Sequence, residues 1–248
     1  MKVRPCNIGI IIPCYNEAKR LRVSEYRSFL EKEKQVTIYF VNDGSQDETQ
    51  EVLESLKLLY PEHIHILTLK KNKGKAVAVQ TGMNRALQEN QYECLAYLDA
   101  DLSTSLEECL LLAGKISKQK QFIFGSRIKK VDNQIQSKTS RMIIGRILAS
   151  IISKMLHLSV YDTQCGCKIF SSYWAALVFK NPFLTSWLFD VEIFYRLIHV
   201  FGRKKLIPQI AEVPLKNWVN VDDSKVELSY GIKVWFDLYK IYKHYGKN

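Results

Sequence analysis

Two carboxylates separated by one residue, Asp99 and Asp101, directly follow the apolar run Cys94–Leu98. A buried strand ending in Asp-x-Asp carries both side chains to its carboxyl end, where parallel sheets bind ligands. Two hard oxygen donors suit Mg²⁺ or Mn²⁺, which keep open positions for the phosphate oxygens of a substrate. The competing interpretation is a polar turn in which Ser103 or Ser105 caps the next helix.

Two further polar segments follow apolar runs and point to an anionic nucleotide ligand. Asp43 stands at the tip of a predicted strand, where its carboxylate suits hydrogen bonds to a base edge or a ribose hydroxyl. The neighbouring Gly44, Ser45 and Asp47 also suit a tight turn and a helix cap. Residues 72–75 (NKGK) open a helix, so backbone N–H groups and two ammonium groups are expected to face an anion. The spacing of a Walker A loop is absent from this segment.

The elements that must position these residues alternate between strand and helix. Predicted strands cover residues 8–13, 37–41, 64–69 and 94–98, and predicted helices cover residues 49–59 and 75–87. Short connections between alternating elements predict a parallel sheet with helices on both faces. Because ligands bind at the carboxyl ends of such strands, the loops that follow them are expected to form one site.

The second half of the sequence has a different pattern. Residues 129–139 are polar and predict a loop, and residues 143–156 predict a strongly amphipathic helix. One interpretation places that helix in the lipid headgroup region. The other packs it on the sheet or on a second subunit, which leaves a homo-oligomer open. The expected elements that follow are a strand near residues 168–171, a helix over 190–200, a strand near 206–214 and an aromatic, basic helix over roughly 228–245.

Charge is the unusual feature of the composition. The 248 residues include 36 Lys and Arg against 25 Asp and Glu, a net charge of +11, which predicts an anionic partner. Nucleotide phosphates, nucleic acid and an anionic membrane surface all fit that charge. The basic residues are spread along the chain without the signature of a nucleic-acid-binding module, so we expect no nucleic-acid partner.

The six cysteines and the longest uncharged run bear on the cellular compartment. Cys165 and Cys167 are too isolated for a zinc site, and the cysteines are expected to be reduced, mostly buried thiols. The longest run without a charged residue, 5–16, is too short for a bilayer, which needs about 20 apolar residues. We therefore expect a cytosolic protein that can still touch a membrane.

Four motifs occur here in the order seen in family 2 glycosyltransferases, which the sequence resembles. They are residues 12–17 (IPCYNE), 41–45 (VNDGS), 72–75 (NKGK) and 99–101 (DAD). Residues 125–127, 162–168, 189–192, 217–218 and 224–225 extend the resemblance to the dolichyl-phosphate beta-glucosyltransferase and polyprenyl-phosphate sugar transferase branch. It implies a GT-A-type, Rossmann-like α/β fold: a mostly parallel sheet flanked by helices, with amphipathic C-terminal helices. We expect that domain over residues 1–220, with the aromatic and basic helix at 221–248 packed on or beside it.

The resemblance also implies roles for individual residues. Those expected to bind the nucleotide-sugar are Pro13, Tyr15, Glu17, Asp43, Lys75, Asp99 and Ala100. Asp99 and Asp101 would hold the diphosphate through Mg²⁺ or Mn²⁺. Those expected at the acceptor are Arg127, Arg141, Gln164 and Lys225. The sequence departs from relatives at Ser103, where some have a metal-binding Gln, and at Cys167, which replaces a usual aromatic residue.

The implied function is a metal-dependent, inverting hexosyl transfer at a membrane surface. The expected donor is a nucleotide-sugar, with UDP favoured, and the expected acceptor is a polyprenyl or dolichyl phosphate at the cytosolic face, reached by peripheral contact. Such a phosphate is mostly ionised already, with a second pKa of about 6, and needs positioning more than a general base.

The alternative acceptor is a sugar hydroxyl, as in cell-surface polysaccharide synthesis. This acceptor needs a base, for which Asp190 is the first candidate and Asp162 the second. Both residues also suit structural roles. A non-enzymatic, nucleic-acid-binding protein is the remote alternative, and no motif encodes the sugar of the donor.

Overall fold

The computed structural model describes residues 7–131, 133–136, 139–219 and 230–246, with side chains described except at 136, 139–144 and 230–232. The strands are β1 (Ile8–Cys14), β2 (Val36–Asn42), β3 (Ile64–Thr68), β4 (Cys94–Leu98), β5 (Phe122–Ser126), β6 (Gln134–Gln136), β7 (Cys167–Ser171), β8 (Ile210–Pro214) and β9 (Asn217–Val219). The helices are α1 (Val23–Lys32), α2 (Thr49–Leu59), α3 (Lys75–Glu89), α4 (Leu106–Ala113), α5 (Thr139–Leu156), α6 (Ser172–Val178), α7 (Phe189–Phe201), α8 (Arg203–Leu206) and α9 (Tyr230–Tyr245).

Seven strands form one sheet in the order β3-β2-β1-β4-β7-β5-β8. Strands β1 to β4 are mutually parallel, and β5 is parallel to β8. Strand β7 runs antiparallel to both of its neighbours, β4 and β5. The predicted mostly parallel sheet flanked by helices is therefore confirmed, and β1, β2 and β4 end side by side at one edge.

Apolar side chains on the two faces of the sheet form two cores. Along β1, Ile10 and Ile12 enter one core and Ile11 enters the other, as the alternation of a strand requires. Helices α1, α2 and α4 contribute to the core that holds Ile10, and α3, α6 and α7 contribute to the core that holds Ile11. Burial on both faces explains why β1, β2 and β4 appear in the sequence as mostly apolar runs, whereas the edge strand β3 buries only Ile64.

Three local predictions need correction. Residues 129–139 include the short strand β6, which pairs in parallel with β9 and buries Ile135. The strand expected from residue 206 begins at Ile210, because α8 and a 3₁₀ turn with a proline occupy residues 203–209. Strand β5 was not predicted, although its sequence FIFGS is fully buried.

The amphipathic helix α5 packs against the core over its C-terminal half. Ile152 and Leu156 are fully buried there, and Leu148 and Met155 pack beside them. Ile147 remains 57% exposed. In this half of the helix the packing interpretation holds, because the apolar side chains already contact the protein. Across the described residues, no helix combines the length and the apolar character needed to cross a membrane.

Candidate active site

The two carboxylates that follow β4 each have a basic partner from an earlier segment. Lys75 Nζ lies 2.6 Å from Asp99 Oδ1, and Arg20 Nη2 lies 3.4 Å from Asp101 Oδ2. Ser103 donates to Asp101 Oδ1 from its backbone nitrogen at 2.9 Å and its hydroxyl at 2.8 Å. These contacts orient Asp101 and place compensating charge beside both acids.

The turn interpretation of the same segment also holds. Ser105 is the N-cap of α4, because its hydroxyl accepts a hydrogen bond from the backbone nitrogen of Glu108 at 3.1 Å. Asp99 and Asp101 are not used in that cap. The segment therefore begins a helix and still leaves its two carboxylates at the edge of the sheet.

Close approach of the backbone at Gly166 shapes the surroundings of Asp99. The Asp99 backbone nitrogen donates to the Gly166 carbonyl at 3.1 Å. A Cβ at position 166 would lie 1.9 Å from Asp99 Oδ2, so any side chain there would displace this carboxylate. Glycine at this position therefore lets the loop before β7 pass beside Asp99 while the carboxylate keeps its contact with Lys75.

Lys75 is the first residue of α3, and its ammonium group is protonated in spite of its burial. Burial lowers the pKa of Lys75, but the negative charges of Asp99 and Asp190 outweigh burial and raise it. The ammonium lies 5.9 Å from the ring centres of Tyr97 and Trp187. Lys75 therefore supplies a fixed positive charge between two acids, beside an aromatic wall.

The amides predicted to bind an anion hold the carboxylate of Asp43. The backbone nitrogens of Lys73 and Gly74 each donate to one Asp43 oxygen at 2.8 Å. Burial raises the pKa of Asp43, and these two hydrogen bonds only partly oppose that rise. Asp43 thereby joins the end of β2 to the loop before α3. Its predicted contact with a base or ribose stays a prediction.

The loop after β1 lies beside the same edge. Pro13 and Tyr15 are partly exposed, whereas Glu17 is buried and its backbone nitrogen donates to Thr49 Oγ1 at 2.8 Å. Arg20 Nη1 lies 3.6 Å from Glu17 Oε1, so this guanidinium links the β1 loop to Asp101. Arg20 was missed from the sequence because nothing local marks it. The structure thus brings together the predicted residues that follow β1, β2 and β4.

At the end of β5, Arg127 is held by Asp162 in a bidentate ion pair. Arg127 Nε and Nη2 lie 2.7 and 2.9 Å from the two carboxylate oxygens. Burial opposes ionisation of Asp162, but Arg127 outweighs it and lowers the pKa of this acid. The guanidinium carbon lies 5.5 Å from the centre of the Trp218 ring on β9. Arg127 was predicted to bind the phosphate of the acceptor, and in this structure its guanidinium binds Asp162.

Asp190 lies at the start of α7 inside a buried polar cluster. Its Oδ1 accepts from Lys168 Nζ at 2.5 Å and from the hydroxyl of Tyr97. Lys168 is fully buried and also donates to the Cys165 carbonyl at 2.7 Å. Sequence reasoning assigned no role to Lys168 or Tyr97, which lie on the neighbouring strands β7 and β4. This setting is typical of a structural carboxylate, the second of the two roles considered for Asp190.

The remaining predicted site residues make few side-chain contacts in the described structure or lie where side chains are not described. Ala100 is buried and its carbonyl accepts from the Tyr26 hydroxyl at 3.3 Å. The Gln164 backbone nitrogen donates to Asp162 Oδ1 at 3.2 Å, which keeps it beside Arg127. Arg141 lies in α5 among residues whose side chains are not described, and Lys225 lies outside the described residues.

Asp99 and Asp101 are the residues that could hold a divalent cation. Within the parts of the chain that the structure describes, no group of three or more His, Cys, Asp or Glu has metal-binding geometry. Mg²⁺ is commonly held by one or two carboxylates together with the phosphates of a substrate. Two carboxylates that now face Lys75 and Arg20 fit that chemistry, because a bound cation can replace those partners.

These features define a class of protein: an α/β fold with acidic and basic side chains gathered at the carboxyl edge of a mostly parallel sheet, where such folds bind ligands. The chain belongs to glycosyl transferase family 2, which matches residues 9–178. The protein is therefore a glycosyltransferase, as the order of its motifs indicated.

Curated relatives resemble the chain over most of its length. A dolichyl-phosphate beta-glucosyltransferase of Trichomonas vaginalis is 32% identical over 94% of this chain and 72% of its own length. The enzyme of the same name from Saccharomyces cerevisiae is 32% identical over 93% of this chain and 72% of its own. That from Dictyostelium discoideum is 30% identical over 94% and 73%.

Solved structures share the fold at low sequence identity. Glucosyl-3-phosphoglycerate synthase from Mycobacterium tuberculosis, in complex with Mn²⁺, UDP and glucosyl-3-phosphoglycerate, has a TM-score of 0.68. It is 14% identical and covers 97% of this chain and 80% of its own. Mannosyl-3-phosphoglycerate synthase from Rubrobacter xylanophilus has a TM-score of 0.69 at 16% identity, over 98% and 76%. The likeness confirms the GT-A-type fold.

Proposed function

We propose that this glycosyltransferase moves a hexose, with glucose favoured, from a UDP-sugar to a polyprenyl or dolichyl phosphate at a membrane surface. The observation that carries the proposal is the meeting of Asp99, Asp101 and Lys75 at the edge where β1, β2 and β4 end. The names of the relatives described above support the acceptor and the sugar. UDP in the solved structure from M. tuberculosis supports the donor.

Departure of the nucleoside diphosphate is the step that this edge would assist. Breaking the bond between the sugar and the diphosphate builds negative charge on the leaving oxygen. A divalent cation held by Asp99 and Asp101 would supply Lewis-acid stabilisation of that charge. The ammonium of Lys75 is already fixed beside Asp99 and would contribute a second positive charge. Asp43 would fix the loop that carries Lys75, through the amides of Lys73 and Gly74.

The acceptor would lie toward Arg127. The loop from Asp162 to Gly166 connects Arg127 to Asp99, because Asp162 binds Arg127 and Gly166 packs against Asp99. An ionised phosphate oxygen attacks the anomeric carbon without a general base and inverts it. Arg127, Arg141 and Lys225 are the proposed phosphate contacts, with Gln164 beside them. To bind the phosphate, the guanidinium of Arg127 would have to contact both Asp162 and the phosphate.

The test is a transfer assay with paired acceptors. The full-length protein is incubated with UDP-glucose, other UDP-sugars and GDP-sugars, and either a polyprenyl phosphate or the polyprenol without phosphate. The expected result is a lipid-linked sugar with UDP-glucose and the phosphate only, in the presence of Mg²⁺ or Mn²⁺. Transfer to a sugar hydroxyl, with no reaction on the polyprenyl phosphate, would overturn the proposal and make Asp190 the residue to test as base.

Arg127→Lys separates acceptor binding from donor chemistry. Lysine keeps the charge but cannot form the bidentate contact of a guanidinium. We expect a higher KM for the polyprenyl phosphate and unchanged slow hydrolysis of UDP-glucose by water. Thermal unfolding of the same variant controls for loss of the Asp162 contact. An unchanged acceptor KM would remove Arg127 from the acceptor site.

A further inference from the structure

Helix α9 has one buried side and one side with large exposed aromatic residues. Leu238 is 3% exposed and Ile241 is fully buried, so these two side chains attach the helix to the core that holds α7. On the other side, four aromatic residues within eight positions are about half to two-thirds exposed: Trp235, Phe236, Tyr239 and Tyr242. We call these four residues the aromatic face. Trp235, Tyr239 and Tyr242 follow one another at spacings of four and three residues and so share one surface of the helix, and Phe236, three residues before Tyr239, lies beside them.

Basic residues accompany the aromatic face. Lys233, Lys240 and Lys243 are exposed on the same helix, and the whole chain carries a net charge of +11. Trp and Tyr combine an apolar ring with a polar atom, and such side chains concentrate where hydrocarbon meets water. Lysines beside them are attracted to the negative surface of anionic lipid. A helix with aromatic residues and lysines outside and an apolar side packed inside matches a membrane-surface contact.

The position of α9 relative to the active site strengthens this reading. Lys240 Nζ donates to the Leu184 carbonyl at 2.8 Å, in the segment between α6 and α7. The same segment continues to Trp187, whose ring centre lies 5.9 Å from Lys75 Nζ. Its Ser186 carbonyl accepts from the Ala76 backbone nitrogen at the start of α3. Helix α9 therefore contacts the segment that lines the active site.

The end of α9 is fixed to the body of the protein. The Tyr245 hydroxyl donates to Glu192 Oε1 at 3.0 Å, and its ring stacks on Tyr195 of α7 with centres 5.8 Å apart. Glu192 also accepts from the Leu184 backbone nitrogen at 2.8 Å. A membrane bound by the aromatic face would thus be held at a set place beside the active site.

We propose that the aromatic face of α9, with Lys233 and Lys243, is the surface that binds an anionic lipid bilayer. The proposal deepens the proposed function and rests on it for its purpose, since a lipid-linked acceptor must be reached from a membrane. It assigns the contact to α9 and not to the described half of α5. There, Ile152 and Leu156 are already buried in the core.

The test measures binding of the full-length protein to phosphatidylcholine vesicles with and without phosphatidylserine, in the absence of any sugar donor. Replacing Trp235 and Tyr239 together by Ser should lower partitioning into anionic vesicles by at least about tenfold, because two large apolar surfaces no longer enter lipid. Leu58→Ser with Leu59→Ser on α2 is the matched control, since these side chains are 82% and 57% exposed. The control pair should bind vesicles like the wild type.

Two further measurements cover charge and folding. Lys233→Gln with Lys243→Gln should reduce binding to phosphatidylserine-containing vesicles and leave the weak binding to neutral vesicles unchanged. Trp235→Phe keeps an aromatic ring and should therefore remain folded, so it provides the test if the serine variant unfolds. Brominated lipid should quench part of the tryptophan fluorescence of the wild type, and this part should be missing in Trp235→Phe.

Four results would overturn the proposal. The first is a folded serine variant that binds vesicles as the wild type does. The second is equal quenching by brominated lipid in the wild type and Trp235→Phe. The third is a serine variant that changes from dimer to monomer without change in vesicle binding, which would make the aromatic face a contact between copies. The fourth is sugar transfer in detergent by a wild type that does not bind vesicles, which would reject this inference and leave the proposed function standing. Vesicle binding needs no donor, so all four outcomes are independent of failed sugar transfer.

Discussion

The two acidic regions of the active site hold their basic partners in different surroundings. The side chains of Asp99 and Asp101 are 38% and 22% exposed, and those of their partners Lys75 and Arg20 are 18% and 19% exposed. The side chains of Asp162 and Asp190 are only 10% and 6% exposed. Arg127 and Lys168 hold them at 2.7 and 2.5 Å.

The difference in exposure separates acids whose cations a ligand can replace from acids whose ion pairs stabilise the fold. Asp99 and Asp101 keep contact with solvent, so a metal ion or a diphosphate can replace their cations at a smaller cost than in the second region. Removing one member of a buried pair leaves an unpaired charge and costs about 3–5 kcal/mol. We therefore expect Asp99 and Asp101 to govern activity, and Asp190 with Lys168 to govern stability.

The largest expected effect is the loss of activity when one of the two acids after β4, Asp99 and Asp101, loses its charge. Asp101→Asn should reduce transfer on the order of a thousandfold, since charge stabilisation by a bound cation is worth several kcal/mol. The fold should persist, as judged by circular dichroism. Glu107→Gln, which removes an exposed acid on α4, is the matched control and should keep full activity. EDTA should act like Asp101→Asn and be reversed by added metal; full turnover in excess EDTA would reject the metal-dependent mechanism.

Lysine replacements test the comparison directly. Lys168→Met should lower the free energy of unfolding by about 3–5 kcal/mol, because it leaves Asp190 buried without its cation. Lys75→Met should lower it by less than Lys168→Met does, because Asp99 keeps contact with solvent, while abolishing most activity. Urea unfolding of both variants measures the difference. Equal destabilisation by the two replacements would show that the distinction between the regions is wrong.

Asp43→Ala should affect nucleotide binding more moderately. The carboxylate fixes the amides of Lys73 and Gly74, and the proposed function also places it at the base or ribose. We expect UDP affinity to fall at least about tenfold, which is roughly 1.4 kcal/mol, in calorimetric titrations. The wild type should bind UDP more tightly than GDP. The reverse preference would show that the nucleotide pocket has been assigned to the wrong base.

The smallest expected effect is the pH dependence of the Asp162 contact. Arg127 lowers the pKa of Asp162 in the folded state, so the stabilisation is complete above the unfolded value of about 3.9. It is lost as pH falls below that value through the lower folded pKa. The stability difference between wild type and Asp162→Asn should therefore shrink between about pH 4 and the acid limit of folding. Urea midpoints that differ by a constant amount across that range would contradict the assignment.

The parallel half of the fold could be predicted because its signals are local. The apolar runs of β1, β2 and β4 are buried on both faces, and α2 and α3 begin at the predicted residues, Thr49 and Lys75. Strands β5 and β6 were missed for a different reason. FIFGS is too short to separate a strand from a helix by periodicity, and QIQ is polar except for Ile135, so pairing with β9 decides its state.

The acids of the site could be predicted from the sequence, but the cations that pair with them could be predicted only in part. Asp43, Asp99 and Asp101 stand at strand ends, so their types and positions alone placed them at one edge. Arg20 and Lys168 carried no such signal. Arg20 meets Asp101 across 81 residues of sequence, and Lys168 meets Asp190 across 22.

The sequence by itself therefore determined the family, the parallel core and the acids at the edge of the sheet, because these depend on short patterns of burial and turn chemistry. Only the tertiary structure decided which cation each acid receives and whether the pair is exposed or buried. It also decided that α5 packs its C-terminal half inward while α9 presents Trp235 and Tyr239 outward. An amphipathic pattern states that a helix has two sides, and the neighbouring elements determine which side is covered.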